Sequence, residues 1–191
     1  MRKPEMEEKE SAVLSDLDRA LRRMAARRAI DAMVARLEKD LAARPRAAMV
    51  WDTLPLTLFE PAPPGGIRSA WVFILRAGAT TGAERHPNSR QRTMSWRGAG
   101  DLQVSAPTGG WRSHPLSGER RATVERRWVS IPENTWHQVV VGDRNWVVVS
   151  FHTVAAEQLI EERPGPGDPG SSVRRRYLED PPSESRTRGT L

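Results

Sequence analysis

From Val50 onward the chain is written in short runs rich in Val, Ile, Trp, Thr and Phe, each cut off by Gly or Pro. Runs of strand length with this regular punctuation bury their apolar residues best as an all-β sandwich or barrel. The spacing predicts strands over Ile67–Leu75, Gln91–Arg97, Asp101–Ser105, Arg127–Ile131, Gln138–Val141 and Trp146–Val154. Between the last two, Gly142-Asp143-Arg144-Asn145 reads as a hairpin turn. The 7 Trp fall along this region and are expected mainly as packing, because a small barrel needs large side chains to fill it.

The first 49 residues follow a different rule. Between Glu5 and Arg44 there is neither Gly nor Pro, and Ala, Leu, Met, Arg and Glu dominate, so residues 5–43 are predicted helical. Leu14, Leu17, Leu21 and Met24 form one apolar stripe, and Ile30, Val34, Leu37 and Leu41 form a second, out of phase with the first. The phase shift places a bend or a break at Ala25–Arg28. Such a helical arm is expected to pack on the main domain or on a second copy, and the stripes suggest a homodimer. After Arg163 comes PGPGDPGSS and an Arg- and Pro-rich end with little apolar surface, so 164–191 is expected to be disordered and Arg174–Arg176 a solvated charge run. The expected organisation is thus a helical arm over 1–49, a β domain over 50–163 and a tail over 164–191.

The net charge of +6 is spread over all three segments without forming a stripe, which argues against a nucleic-acid partner. No apolar run reaches the roughly 20 residues of a membrane span, and the acidic start lacks the apolar stretch of a secretory signal, so a cytoplasmic protein with no membrane partner is expected. The absence of cysteine excludes disulfides, thiolate-bound zinc, iron–sulfur clusters and cysteine nucleophiles. Any metal must be held by oxygen donors and by the 4 His, at positions 86, 114, 137 and 152. Glu84 and His86 are two apart and project from one face of an extended segment; His137 precedes an apolar strand; His114 sits in a loop and is expected to be exposed.

With these residues in view the chain resembles the cupin superfamily. Gly78, five residues, Glu84-x-His86, four residues, Gln91, six residues and Gly98 reproduce the spacing of the first cupin motif. Pro132-x-Asn134, two residues and His137 keep the register of the second, with Val141 in place of its final Asn. The resemblance covers roughly residues 67–154 and implies a mainly β fold: a double-stranded β-helix or jelly-roll barrel with its site in the mouth, here preceded by the N-terminal helical segment. Cupins commonly bind a divalent metal through three His and one Glu. Carried over by position, this chain offers Glu84, His86, Gln91 and His137, its carboxylate moved from the fourth place to the first. Two His and one carboxylate suit non-haem Fe(II), with Mn, Ni or Zn as the other candidates.

The resemblance implies a metal-dependent enzyme acting on a small organic substrate, with Fe(II) dioxygenase or oxygenase chemistry first. The alternatives are a metal-dependent isomerase or epimerase of a sugar-like molecule, and a non-catalytic sensor cupin. If Gln91 faces the interior, alternation sends Thr93, Ser95 and Arg97 inward too, and Val139 and Val141 with His137. Thr93 and Ser95 are expected to orient substrate, and Arg97 or Arg76 to anchor an anionic group. Ser150 and His152 match the Ser-x-His that thiol dioxygenases, a cupin branch, place after their last ligand, with Val154 where Tyr would stand. His152 is expected either as a substrate-orienting residue or as a satisfied core histidine.

Overall fold

The computed structural model describes residues 3–166 and 170–178, with side chains from residue 8 onward. Two helices, α1 (Lys3–Arg22) and α2 (Met24–Ala42), lead into eleven strands: β1 (Met49–Leu54), β2 (Ser69–Leu75), β3 (Gln91–Arg97), β4 (Ala99–Ser105), β5 (Trp111–Arg112), β6 (Pro115–Ser117), β7 (Trp128–Ile131), β8 (His137–Val141), β9 (Trp146–His152), β10 (Ile160–Pro164) and β11 (Ser172–Arg176). A single helical turn, α3 (Val124–Arg127), precedes β7.

One antiparallel sheet runs β1-β2-β9-β3-β7. It is covered on both faces. Its outer face packs under α1 and α2, where Leu17, Leu21, Ile30, Val34, Leu37 and Leu41 meet Val50, Val72, Ile74 and Phe151. Its inner face meets the second sheet through Trp51, Trp71, Trp146 and Val148 against Leu102, Val104 and Val141. A strand buried on both faces loses the apolar–polar alternation of a half-exposed one, which is why WVVVSFH in β9 is buried at every position.

In the second sheet β4 pairs with β8 along one edge and with β5 and β6 end to end along the other. Bridges extend it through residues 80–85: Thr80 and Glu84 pair with β8, and Arg85 pairs with Glu162 of β10. β8 and β9 belong to different sheets, so residues 142–145 cross between layers and are not the expected hairpin turn. Within the second motif Asn134 takes a left-handed backbone, φ 58, a conformation Asn tolerates better than other residues bearing a side chain.

The helix break falls at Arg23, earlier than Ala25–Arg28, and turns Met24 outward, 66 % exposed, instead of completing the first stripe. Apart from Met24, the two stripes pack into the core that α1 and α2 share with the chain's own sheet. Arg76, an expected anion anchor, donates to the carbonyls of Leu41, Arg44 and Ala47 and caps the end of α2. Arg97, the other, is turned out of register by a β-bulge between Ser95 and Arg97 and pairs with Glu38 of α2.

The expectation of a disordered 164–191 is corrected over its described part. β11 pairs with β10 so that Arg175 stands opposite Glu161 and Arg174 opposite Glu162. Arg175 lies 2.5 Å from Glu161 and Arg174 2.7 Å from Glu162. Facing opposite charges stabilise a strand pair, so the arginine run is held in a ladder. Tyr177, just beyond, is 3 % exposed in the inner core. Residues 179–191 lie outside the described part.

Candidate metal centre

Three elements carry the site: the extended segment 80–86, the start of β8, and β10 on the other flank of that segment. Glu84 and His137 exchange both backbone hydrogen bonds, each 2.8 Å. They are therefore directly opposite in an antiparallel pair, which puts their side chains side by side on one face. Glu84 Oε1 approaches His137 Nε2 to 3.5 Å. His86, two residues along, shares that face, and its ring centroid lies 5.4 Å from that of His137. One ligand atom from each of Glu84, His86 and His137 falls within 4.8 Å of the others.

The backbone sets the tautomers. His86 Nδ1 lies 2.9 Å from the Ile160 carbonyl and His137 Nδ1 3.1 Å from the Thr135 carbonyl. A carbonyl only accepts, so each Nδ1 carries the proton and each Nε2 keeps its lone pair. His137 Nε2 is buried and has no hydrogen-bond partner. Burial, aided by His137, lowers the pKa of His86 to about 4, which keeps its imidazole neutral. Burial works against ionisation of Glu84, but a protonated His137 and the Arg163 guanidinium together outweigh it and bring its carboxyl down to about 2; with His137 neutral, the Arg163 contact still favours the carboxylate. Arg163 of β10 donates to Glu84 Oε2 at 2.6 Å and to Glu161 at 2.5 Å. Two imidazole lone pairs and an ionised carboxylate, with an unsatisfied buried nitrogen among them, fit a divalent cation of the first transition row.

A cavity of about 40 Å³ opens beside this cluster. Glu84, His137, Gln91, Thr93 and Ser150 line its polar side, and Phe73, Leu75, Val139 and Val148 are among its apolar walls. Gln91 Nε2 donates to the hydroxyls of Thr93 (3.0 Å) and Ser150 (3.4 Å), which lie 2.8 Å apart. Gln91 Oε1 is buried without a partner.

Glu84, His86 and His137 thus come together, and Gln91 and Thr93 share the cavity. Ser95 does not line it: it accepts from Trp146 Nε1 at 2.8 Å and donates to the Gly98 carbonyl at 3.2 Å, so its hydroxyl holds the end of the barrel. His152 does not line it either. It is 1 % exposed, bonded through Nδ1 to the Ser89 hydroxyl at 3.3 Å, with its ring edge-on to His86 at 5.0 Å. It stands behind His86 as a core histidine, its pKa held well below the ordinary value by burial and by His86. His114 is half-buried, with Nδ1 on the Leu102 carbonyl at 3.2 Å, and is not itself one of the residues that line the cavity.

Ser150, noted in the sequence only beside His152, and Arg163 and Tyr177, not noted as site residues, complete the site. The β9 register, with Ser150 beside Thr93 of β3, carries the first. The complementary Glu161-Glu162 and Arg174-Arg175 pairs were the signal for the other two.

No protein-family model and no curated protein matches the chain. Among solved structures it is similar to the capsular polysaccharide assembling protein CapF from Staphylococcus aureus, at 19 % identity and TM-score 0.39, over 46 % of this chain and 23 % of that one. It is also similar to an oxalate oxidase in complex with the substrate analogue glycolate, at 15 % identity and TM-score 0.43, over 56 % and 52 %. A third is pumpkin seed globulin, at 18 % identity and TM-score 0.47, over 62 % and 28 %. The chain therefore spans about a quarter of CapF and of the globulin, and about half of the oxalate oxidase. Its own two facing antiparallel sheets, with the segment 80–86 bridged to β8 at one end, make a double-sheet β-barrel.

Proposed function

We propose that the protein is a metal-dependent enzyme in which Glu84, His86 and His137 hold a divalent cation, Fe(II) before Mn, Ni or Zn, for an oxygenase-type reaction on a small organic substrate. The observation that carries this reading is the convergence of one ligand atom from each of Glu84, His86 and His137 within 4.8 Å, with both Nδ1 atoms already committed to backbone carbonyls. When bound, the ion would supply Lewis acidity, a template and one-electron chemistry with dioxygen. Arg163 holds one oxygen of Glu84 and leaves the other toward His137. Gln91 is the fourth candidate donor, through its unpartnered Oε1; otherwise that oxygen accepts a hydroxyl or amine of the substrate. The Thr93–Ser150 hydroxyl pair orients a polar end, while Phe73, Leu75 and Val148 exclude water from the rest.

Size narrows the substrate. A site needs on the order of 10–15 Å³ of this volume for each water-sized body, so about 40 Å³ suits a molecule of a few heavy atoms. The apolar walls and that small volume disfavour a sugar-like substrate, and with it the isomerase alternative.

Elemental analysis of protein purified without added metal tests the reading. About one divalent ion per chain is expected, lost when Glu84→Ala and His137→Ala are combined. Metal-free wild type, or unchanged content in the double variant, overturns it. Oxygen uptake by the Fe(II) form with small organic acids, alcohols and thiols then separates oxygenation from redox-neutral chemistry.

A further inference from the structure

A second and larger cleft, of about 320 Å³, lies where α1, α2, the end of β3 and the segment before β7 meet. It shares no lining residue with the metal-site cavity. Arginines come to it from every side: Arg22 from α1, Arg27 from α2, Arg97 from β3, Arg120 from the β6–α3 connection and Arg127 from α3. Arg22 and Arg97 are tied to Asp18 and Glu38. The other three are not fully matched. Arg27 reaches Asp31 only at 3.9 Å. Arg120 is exposed and makes no hydrogen bond or ion pair among the described residues. Arg127 is 5 % exposed; one of its nitrogens meets Asp18 at 2.7 Å and another the Met94 sulfur at 3.8 Å, while its buried Nε has no partner.

We propose that this cleft is a binding site for a small phosphorylated molecule, its phosphate held by Arg27, Arg120 and Arg127 and its organic part against Trp96. Five guanidinium groups face three carboxylates, counting Asp18 and Glu38, so the cleft keeps an excess of positive charge inside partly apolar walls. Guanidinium groups on three different elements approach from three directions, which suits a tetrahedral anion with several acceptor oxygens better than a planar carboxylate. Trp96 closes one wall, its ring fixed by donation from Nε1 to Asp31 at 3.0 Å. Gly118 closes another: a Cβ there would stand 2.7 Å from the backbone of Arg97, so only glycine lets the connection lie this close to β3. The volume is that of a small-ligand pocket, roughly 300–1,000 Å³, and a cleft bounded on all these sides suits a compact molecule and not a polymer.

The reading is independent of the metal centre. Titration calorimetry of the full chain with pyrophosphate and with ATP tests it. Saturable binding at one site is expected for both, with ATP the tighter because of Trp96. Arg120→Glu, an exposed position whose variant is checked as folded by circular dichroism, is expected to weaken both by about tenfold or more, the worth of a charge-assisted hydrogen bond. Arg27→Glu is expected to act in the same direction, and His137→Ala to leave both affinities unchanged. Absence of saturable binding, or binding indifferent to Arg120→Glu and Arg27→Glu, overturns the proposal. So does loss of binding in His137→Ala, which would put the anion in the metal cavity. Equal affinity for pyrophosphate and ATP removes Trp96 from the site, and duplex DNA bound as tightly as ATP makes the cleft a nucleic-acid contact.

Discussion

Glu84 and His137 illustrate how two distant residues become one site: a reciprocal pair of backbone bonds leaves their side chains no other place than beside each other. His86 adds a consequence that titration can read. Its pKa is lowered from 6.5 to about 4. Between those values the unfolded chain binds a proton that the folded chain refuses, so stability is present above the window and is lost as pH falls through it. Linkage sets the scale at about 3 kcal/mol. The urea midpoint of metal-free protein should therefore fall between pH 7 and pH 4. His152 is displaced in the same direction, so His86→Gln should remove part of the slope and the pair His86→Gln with His152→Gln most of it. An undiminished slope in the double variant would show that neutral buried imidazoles are not its source. Glu84, lowered from 4.5 to about 2, adds its own loss of stability from about pH 4.5 downward, at the acid end of this window. Tyr177 forms a wall of the cavity from the buried end of the β10–β11 ladder. Tyr177→Ala should lower stability by about 3–5 kcal/mol, as for other large buried aromatics, and should admit larger substrates in a turnover or binding panel.

Among the elements, α1 is attached by more than its stripe. Asp18 is buried and receives Arg127 at 2.7 Å, Arg22 at 2.6 Å and Trp128 Nε1 at 3.1 Å. Glu10 holds Arg92 of β3 at 2.6 and 3.0 Å and Ser130 of β7 at 2.6 Å. Asp18→Ala leaves Arg127 buried without its carboxylate and should cost about 3–5 kcal/mol in chemical unfolding; a change below about 1 kcal/mol would mean that the pair is solvated. The central strands were legible because their composition reports burial directly: β3 lies over Gln91–Arg97 as its spacing predicts. β10 and β11 were not legible. They are charged strands whose order comes from one another, Glu161 with Arg175 and Glu162 with Arg174, and a charge run read alone has the composition of a solvated tail.

At the scale of the whole molecule, the first sheet is the middle of three layers, between the helices and the second sheet. The helices α1 and α2 are therefore a cover for the core and not an arm beside it. Their removal should uncover Val50, Val72, Ile74 and Phe151 and yield protein that aggregates or lacks a cooperative thermal transition. A soluble, cooperatively folding fragment from residue 47 would restore the reading of an independent arm.

Local chemistry alone was enough for the helical start and the six central strands, because periodicity and Gly/Pro punctuation are properties of neighbouring residues; Glu84, His86 and His137 were picked out only through the resemblance to the two cupin motifs. Tertiary structure decided what the local pattern leaves open. It turned Ser95 to Trp146 and His152 to the back of His86, since alternation says which face a side chain takes but not which partner is already there. It placed Arg163 on Glu84 and Arg76 on the end of α2, since the side chain an arginine finds depends on which distant strand lies beside it. It also gathered arginines from five segments around one cleft, a proximity that no window of the sequence contains.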